Sequence, residues 1–262
     1  MIGNELGATG LRFERDGPIA WLTIDRPHAR NAFTPAMYFG IKRAVRIVNA
    51  DPVLRALIIT GTGDVFAPGG DLGRRTDPGD EPVPEGLTHE ILPFIAIRES
   101  NAPVIAAVNG ICQAGGLLVA MMADIAVVSQ NATFRVPELL RGIIDASYAA
   151  LLPAHVGMAQ ARDLLLSARG FDAAEAHRIG LISRVVPHED LRREALKAAV
   201  EVLQTAPESR AHVKRMLNEQ YGRIDYETMF ASLAYGQEPR EGMRAFMEKR
   251  QPDWIPEGLP KV

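Results

Sequence analysis

The chain has 262 residues, 47% of them hydrophobic and 23% charged, which suffices for one large core, or a core with a small appendage. A net charge of -3 excludes the strongly basic balance expected of a nucleic-acid-binding protein. A single cysteine, Cys112, excludes an intrachain disulfide and reads as a small core residue, since no basic cluster stands beside it in sequence.

The first ten residues lack a basic region followed by an apolar run, and no stretch is long and apolar enough to span a bilayer, so a cytoplasmic location is expected. Residues 11–15 and 19–24 flank the turn pair Asp16-Gly17 and read as a hairpin, with Ile19, Trp21 and Thr23 alternating with Ala20, Leu22 and Ile24. Thr34-Pro35 is a helix start, followed by Ile41, Ala44, Val45 and Val48 at helical spacing. Residues 54–60 form a buried strand and lead into the glycine-rich turn 61–72, with Gly69-Gly70 before Asp71 and Leu72. The segment 74–86 is rich in Pro, Gly and acid, which predicts a mobile surface loop. A helix over 87–99 follows, interrupted at Pro93, with His89 at its start.

Residues 104–108 are an apolar, β-branched run bounded by Pro103 and Asn109-Gly110, hence a buried strand. Gly115-Gly116 then opens a helix through Met122 whose first N–H groups face no side chain, so a ligand oxygen can approach them. Two strand-to-glycine turns can each present one backbone N–H to the same oxygen, an arrangement suited to a carbonyl that becomes an oxyanion. Residues 124–129 are a further strand. Beyond it stand Glu138 and Asp145, seven residues apart, among apolar neighbours that favour raised pKa values and general acid–base work. Pro137, Gly142 and Ile143-Ile144 break the helical continuity between them, and Asp145 reads equally well as the N-cap of a helix over 147–152. Helices over 159–167, 191–203, 207–217, 226–235 and 241–250 fill the C-terminal third. Asp172 and Glu175 form a capping signal before 176–179, and 181–186 is a short strand.

Asp25-Arg26-Pro27, Arg30-Asn31-Ala32, the turn 66–72, the stretch 106–116 and the late Glu241-Gly242-Met243-Arg244-Ala245-Phe246 with Glu248-Lys249-Arg250 carry a resemblance. Together they resemble the enoyl-CoA hydratase/isomerase family, the crotonase superfamily. The resemblance implies an α/β fold, a crotonase (ClpP-like) spiral of ββα units over residues 1–190, with a C-terminal helical trimerisation region over 191–262. It implies an acyl-CoA thioester substrate, coenzyme A being part of that substrate rather than a cofactor, no metal, and a homo-trimer or a hexamer made of two trimers. It assigns the oxyanion donors to the N–H groups of Gly70 and Gly115, and substrate or CoA contacts to Arg30, Ala32, Pro68, Asp71, Leu72, His89, Leu118 and Lys249.

Hydratases of this family hold water with two glutamates, of which the second falls on Glu138 and the first on Leu118. Leucine can neither position nor deprotonate water. The favoured reaction is therefore double-bond isomerisation by Glu138 with Asp145, since isomerases of the family use a single glutamate or a glutamate with an aspartate. Hydration by Glu138 alone is the alternative. A third chemistry, that of the 4-chlorobenzoyl-CoA dehalogenases, would use Asp145 as nucleophile and His89 as base. A fourth reading is a CoA-ester-binding or assembly protein without efficient chemistry.

Overall fold

The computed structural model describes residues 5–73, 76–83 and 91–255. The hairpin β1 (Leu11–Asp16) and β2 (Ile19–Ile24) is followed by α1 (Pro35–Ala50), β3 (Ala56–Gly61) and β4 (Val65–Ala67). Next come α2 (Phe94–Arg98), β5 (Val104–Val108), β6 (Ile111–Gln113), α3 (Gly115–Met122), β7 (Ile125–Ser129) and β8 (Thr133–Arg135). The chain continues through α4 (Ala146–Ser167), β9 (Gly170–Asp172), α5 (Ala173–Arg178) and β10 (Arg184–Val186). It then runs through α6 (Leu191–Leu203), α7 (Pro207–Asn218), α8 (Tyr226–Tyr235) and α9 (Gln237–Glu248).

These strands form two sheets, a large one ordered β1-β2-β3-β5-β7-β10 and a small one ordered β4-β6-β8-β9. The large sheet is parallel from β2 onwards, and both of its faces are covered. Side-chain alternation divides its residues between the two faces. Leu22, Ile24, Leu57, Ile59, Ala106 and Val108 join the main core with Ile41 and Val45 of α1 and Leu117 of α3. Ile19, Trp21, Ile58, Ile105 and Val127 point the other way, onto Leu191, Ala195, Ala198 and Ala199 of α6. The alanines of α6 let its backbone lie close beneath the sheet.

Each central strand of the large sheet passes directly into one of the small sheet: β3 into β4, β5 into β6, and β7 into β8. This repeated strand pair is the structural repeat of a spiral, and the mixed α/β architecture expected from the sequence is the one observed.

Several local expectations change. The segment 74–86 was expected to be mobile, yet among its described residues Asp77 is buried in an ion pair with Arg26, Asp80 accepts from Thr9 and Thr34, and Glu81 pairs with Arg43 at 2.5 Å. Composition alone does not show that acidic residues have buried partners. Of the helix expected over 87–99, Phe94–Arg98 is helical, and its first residues lie outside the described set, as does His89. The helices expected over 147–152 and 159–167 join into α4, bent where Gly157 takes φ 77°. The last helix starts earlier than expected, at Gln237, because Pro239 lies in its first turn, where no intrahelical N–H is needed.

Candidate active site

The small sheet explains how residues far apart in sequence meet. Ala67 of β4, Cys112 of β6 and Phe134 of β8 are in register across three neighbouring parallel strands. Gly70 lies three residues past Ala67, Gly115 three past Cys112, and Glu138 four past Phe134. Strands about 4.8 Å apart therefore deliver all three residues to one end of the sheet.

Phe33 forms a parallel bridge with Gly70, its N–H donating to Gly69 O at 2.8 Å and its carbonyl accepting from Asp71 N–H at 2.9 Å. This bridge turns the Gly70 N–H away from Phe33, and it finds no acceptor among the described residues. Gly69 precedes it with φ 103°, a conformation that suits glycine. Gly115 is the first residue of α3, so its N–H has no intrahelical partner. The two turns touch: a methyl group on Gly69 would lie 3.4 Å from the Gly115 nitrogen.

Ala114, just before Gly115, adopts φ 48° and ψ -131°, a sparsely populated conformation for a residue with a side chain, costing about 1–3 kcal/mol. It is held by its N–H to Arg135 O at 3.3 Å and by its carbonyl, which accepts from Leu118 N–H at 3.1 Å and from the Tyr148 hydroxyl at 2.6 Å. That carbonyl and the Gly115 N–H belong to one planar peptide unit. Tyr148 thus fixes the direction of the N–H and polarises it through its own peptide. Tyr148→Phe is expected to lower kcat by about tenfold, with a loss of about 1 kcal/mol in folding stability, read by steady-state kinetics and urea unfolding.

Glu138 opens a short 3-10 turn after β8 and is 8% exposed, with Oε2 buried and lacking a hydrogen-bond partner among the described residues. Burial first, and the charge of Asp145 second, push its pKa up to about 8, while its own backbone N–H and Arg141 oppose the shift. It is therefore largely protonated at neutral pH. Asp145 does not share a continuous helix with Glu138, since Gly142 takes φ 64° between them. Instead Asp145 caps α4, its Oδ1 accepting from Ser147 N–H at 2.9 Å and Tyr148 N–H at 3.3 Å. Burial raises the pKa of Asp145, and these backbone donors oppose the rise. Leu118 is 2% exposed and packs into the core on α3.

Asp71 serves the turn itself: Oδ2 accepts from Arg26 Nη1 at 2.7 Å and Oδ1 from Gly73 N–H at 2.9 Å. Arg26 is 1% exposed and also holds Asp77 and the Ala32 carbonyl, the last at 3.0 Å. Pro68 and Leu72 are half-buried beside the glycine turn. Arg30 is exposed, in the left-handed region at φ 50°, and Lys249 is exposed just past α9. Sequence reasoning did not single out Tyr148 or Tyr38, whose phenol lies against Gly115. Both are spaced like ordinary core residues of their helices, so only the tertiary contacts distinguish them. Among the described residues, no cluster of His, Cys, Asp and Glu is placed to hold a metal ion, and no helix is long and apolar enough to cross a membrane.

Two free backbone donors, delivered to the same end of the small sheet as a buried glutamate, are able to hold a carbonyl oxygen as it gains enolate charge. Residues 14–257 match the family model for enoyl-CoA hydratase/isomerase. The chain belongs to the enoyl-CoA hydratase/isomerase family. It is an acyl-CoA enzyme of that family, and its relatives carry mostly hydratase and dehydratase names, with an enoyl-CoA isomerase of M. smegmatis among the solved structures. A mevalonyl-coenzyme A hydratase of Aspergillus fumigatus is 35% identical, over 92% of this chain and 93% of its own. A carnitinyl-CoA dehydratase of Citrobacter koseri is 34% identical, over 93% of this chain and 97% of its own. The crystal structure of an enoyl-CoA hydratase/isomerase from Pseudoalteromonas atlantica superposes with a TM-score of 0.80 at 32% identity, covering 93% of this chain and 99% of the other.

Proposed function

We propose that this enzyme adds water to, or removes it from, the α,β bond of an acyl-CoA thioester, with Glu138 as its only proton-moving carboxyl. The observation that carries this reading is the unpartnered, buried Oε2 of Glu138, delivered by the small sheet to the same end as two free N–H groups. The Gly70 and Gly115 N–H groups hold the thioester oxygen as it gains charge. The protonated oxygen of Glu138 gives its proton to the α-carbon while the other oxygen takes one from water, whose hydroxide adds to the β-carbon. The carboxyl is restored, and the net change is H and OH across the double bond. One carboxyl thus serves as both acid and base, which is how Leu118 is accommodated. The preference moves from isomerisation to hydration because Asp145 is engaged as a helix cap and because the 35% and 34% identical relatives named above are a hydratase and a dehydratase.

Isomerisation by Glu138 alone is the second reading, favoured by the apolar Leu118 next to Gly115, where a second water-holding acid is missing. An ultraviolet time course of the conjugated thioester separates the two. Loss of absorbance from a 2-enoyl-CoA, with 3-hydroxyacyl-CoA as product, is the expected result. Gain from a 3-enoyl-CoA without loss from the 2-enoyl ester replaces hydration by isomerisation. Silence in both while acyl-CoA still binds moves the assignment to a non-catalytic binder or to attack by Asp145. We also propose a homo-trimer or a pair of trimers, supported by the exposed Met216 and Leu217 of α7 and Phe246 and Met247 of α9.

A further inference from the structure

The Tyr38 phenol is a polar group of the site that the proposed reaction leaves unused. Tyr38 lies in the first turn of α1, whose start is fixed by Thr34 accepting from Met37 N–H at 3.1 Å. The Phe33–Gly70 bridge ties the entry of that helix to the first glycine turn. Its ring is wedged between Phe33, with centroids 4.8 Å apart, and Phe94, at 6.1 Å, so the phenol has one orientation. A methyl group on Gly115 would fall 2.2 Å from the phenol oxygen, and one on Gly70 would fall 3.6 Å from it. The oxygen therefore lies against the α-carbon of one donor glycine, on the side facing the other.

Tyr38 is 7% exposed, yet its hydroxyl makes no hydrogen bond with any described residue. Unlike Glu138 Oε2, the phenol oxygen is not sealed off, so it is open to a ligand atom beside Gly70 and Gly115. Burial, and then the charges of Glu138 and Asp145, raise the phenol pKa, so the group stays a neutral donor at every working pH. Gly115 carries no side chain for a related reason: any Cβ there would occupy the space the phenol oxygen uses.

We propose that the Tyr38 hydroxyl donates a third hydrogen bond to the thioester oxygen, beside the N–H groups of Gly70 and Gly115, and strengthens it as the enolate forms. Tyr38 is then a catalytic residue that touches substrate, and the inference rests on the enolate reading of the site. No bond is made or broken at the phenol; its proton stays on oxygen and is shared with the oxyanion.

The test is Tyr38→Phe in the full chain, which keeps the ring packing and removes only the hydroxyl. A saturated acyl-CoA carrying a carbon-13 label at the thioester carbonyl is bound to both proteins, and its carbonyl band is read by infrared difference spectroscopy. With the hydroxyl gone the band is expected to move to higher wavenumber, with an unchanged melting temperature. With a reactive enoyl-CoA, kcat is expected to fall about 10²-fold with little change in KM, the loss typical of one oxyanion donor. An unmoved band overturns the proposal. So does an unmoved band with a shifted pH profile, which would assign the phenol to Glu138 instead. A saturated ester is consumed by none of these reactions, so a band shift in a protein that turns over no enoyl-CoA sustains the Tyr38 contact while removing the hydration reading.

Discussion

Glu138→Gln is expected to lower turnover by about 10²- to 10⁴-fold and, at the same time, to make the folded protein more stable above acidic pH. The two effects have one cause. Burial holds the Glu138 carboxyl at about 8 in the folded chain, against 4.5 for the free group. Below about 4.5 the group is protonated in both the folded and the unfolded chain and imposes no penalty. As pH rises from there, the unfolded chain ionises first, and the folded chain must either keep the proton or bury a charge, so stability falls until the folded group ionises near 8. Glutamine removes that slope. Thermal melts of the two proteins should coincide near pH 4 and separate steadily towards pH 8, the variant being the more stable by a few kcal/mol. Because the proposed step begins with Glu138 protonated, kcat/KM of the wild type is expected to fall as pH passes through about 8. A wild-type profile that rises there would instead require the carboxylate as the starting form. Equal melts of the two proteins at every pH would show that Glu138 is solvated in the free enzyme.

How much of this was legible in the sequence follows from the range of the interactions. The strand β5 and the helix α3 were readable residue by residue, because Pro103, Asn109-Gly110 and Gly115-Gly116 mark their ends locally. The α1 cap was readable for the same reason: Thr34 and Pro35 act within one turn. The small sheet was not, since its strands are three residues each, too short for periodicity to register, and each pairs with a segment tens of residues away. Yet that sheet is what brings Gly70, Gly115 and Glu138 together. Asp145 was read as having two possible roles, and the local one, capping, is the one whose hydrogen bonds the fold shows. Tyr38 and Tyr148 escaped notice because a tyrosine on the buried face of a helix looks like packing until the atom next to its hydroxyl is known.

Arg26 shows the same limit most sharply, and its replacement should have the largest effect on stability. Read from sequence it ends β2 and belongs to a family motif; in the fold it is a cation 1% exposed, bound to Asp71, Asp77 and the Ala32 carbonyl. Arg26→Met removes the only charge on that cluster's positive side among the described residues, apart from the exposed His28, 3.6 Å from Asp77. It leaves two carboxylates with little access to water. Breaking such a group from one side typically costs 3–5 kcal/mol, so the urea midpoint should drop by that equivalent. Neutralising the two acids as well, in Arg26→Met with Asp71→Asn and Asp77→Asn, should recover part of the loss, since the excess negative charge left at a poorly solvated site destabilises more than the missing ion pair itself. Turnover should not recover with it. Asp71 directly follows Gly70, and Arg26 joins that turn to Asp77, so without the guanidinium the turn keeps its bridge to Phe33 but loses its side-chain anchor, and the direction of the Gly70 N–H is expected to loosen. A triple variant that regained both stability and activity would show that the bridge to Phe33 holds the turn unaided, and would reduce Arg26 to a purely structural ion pair.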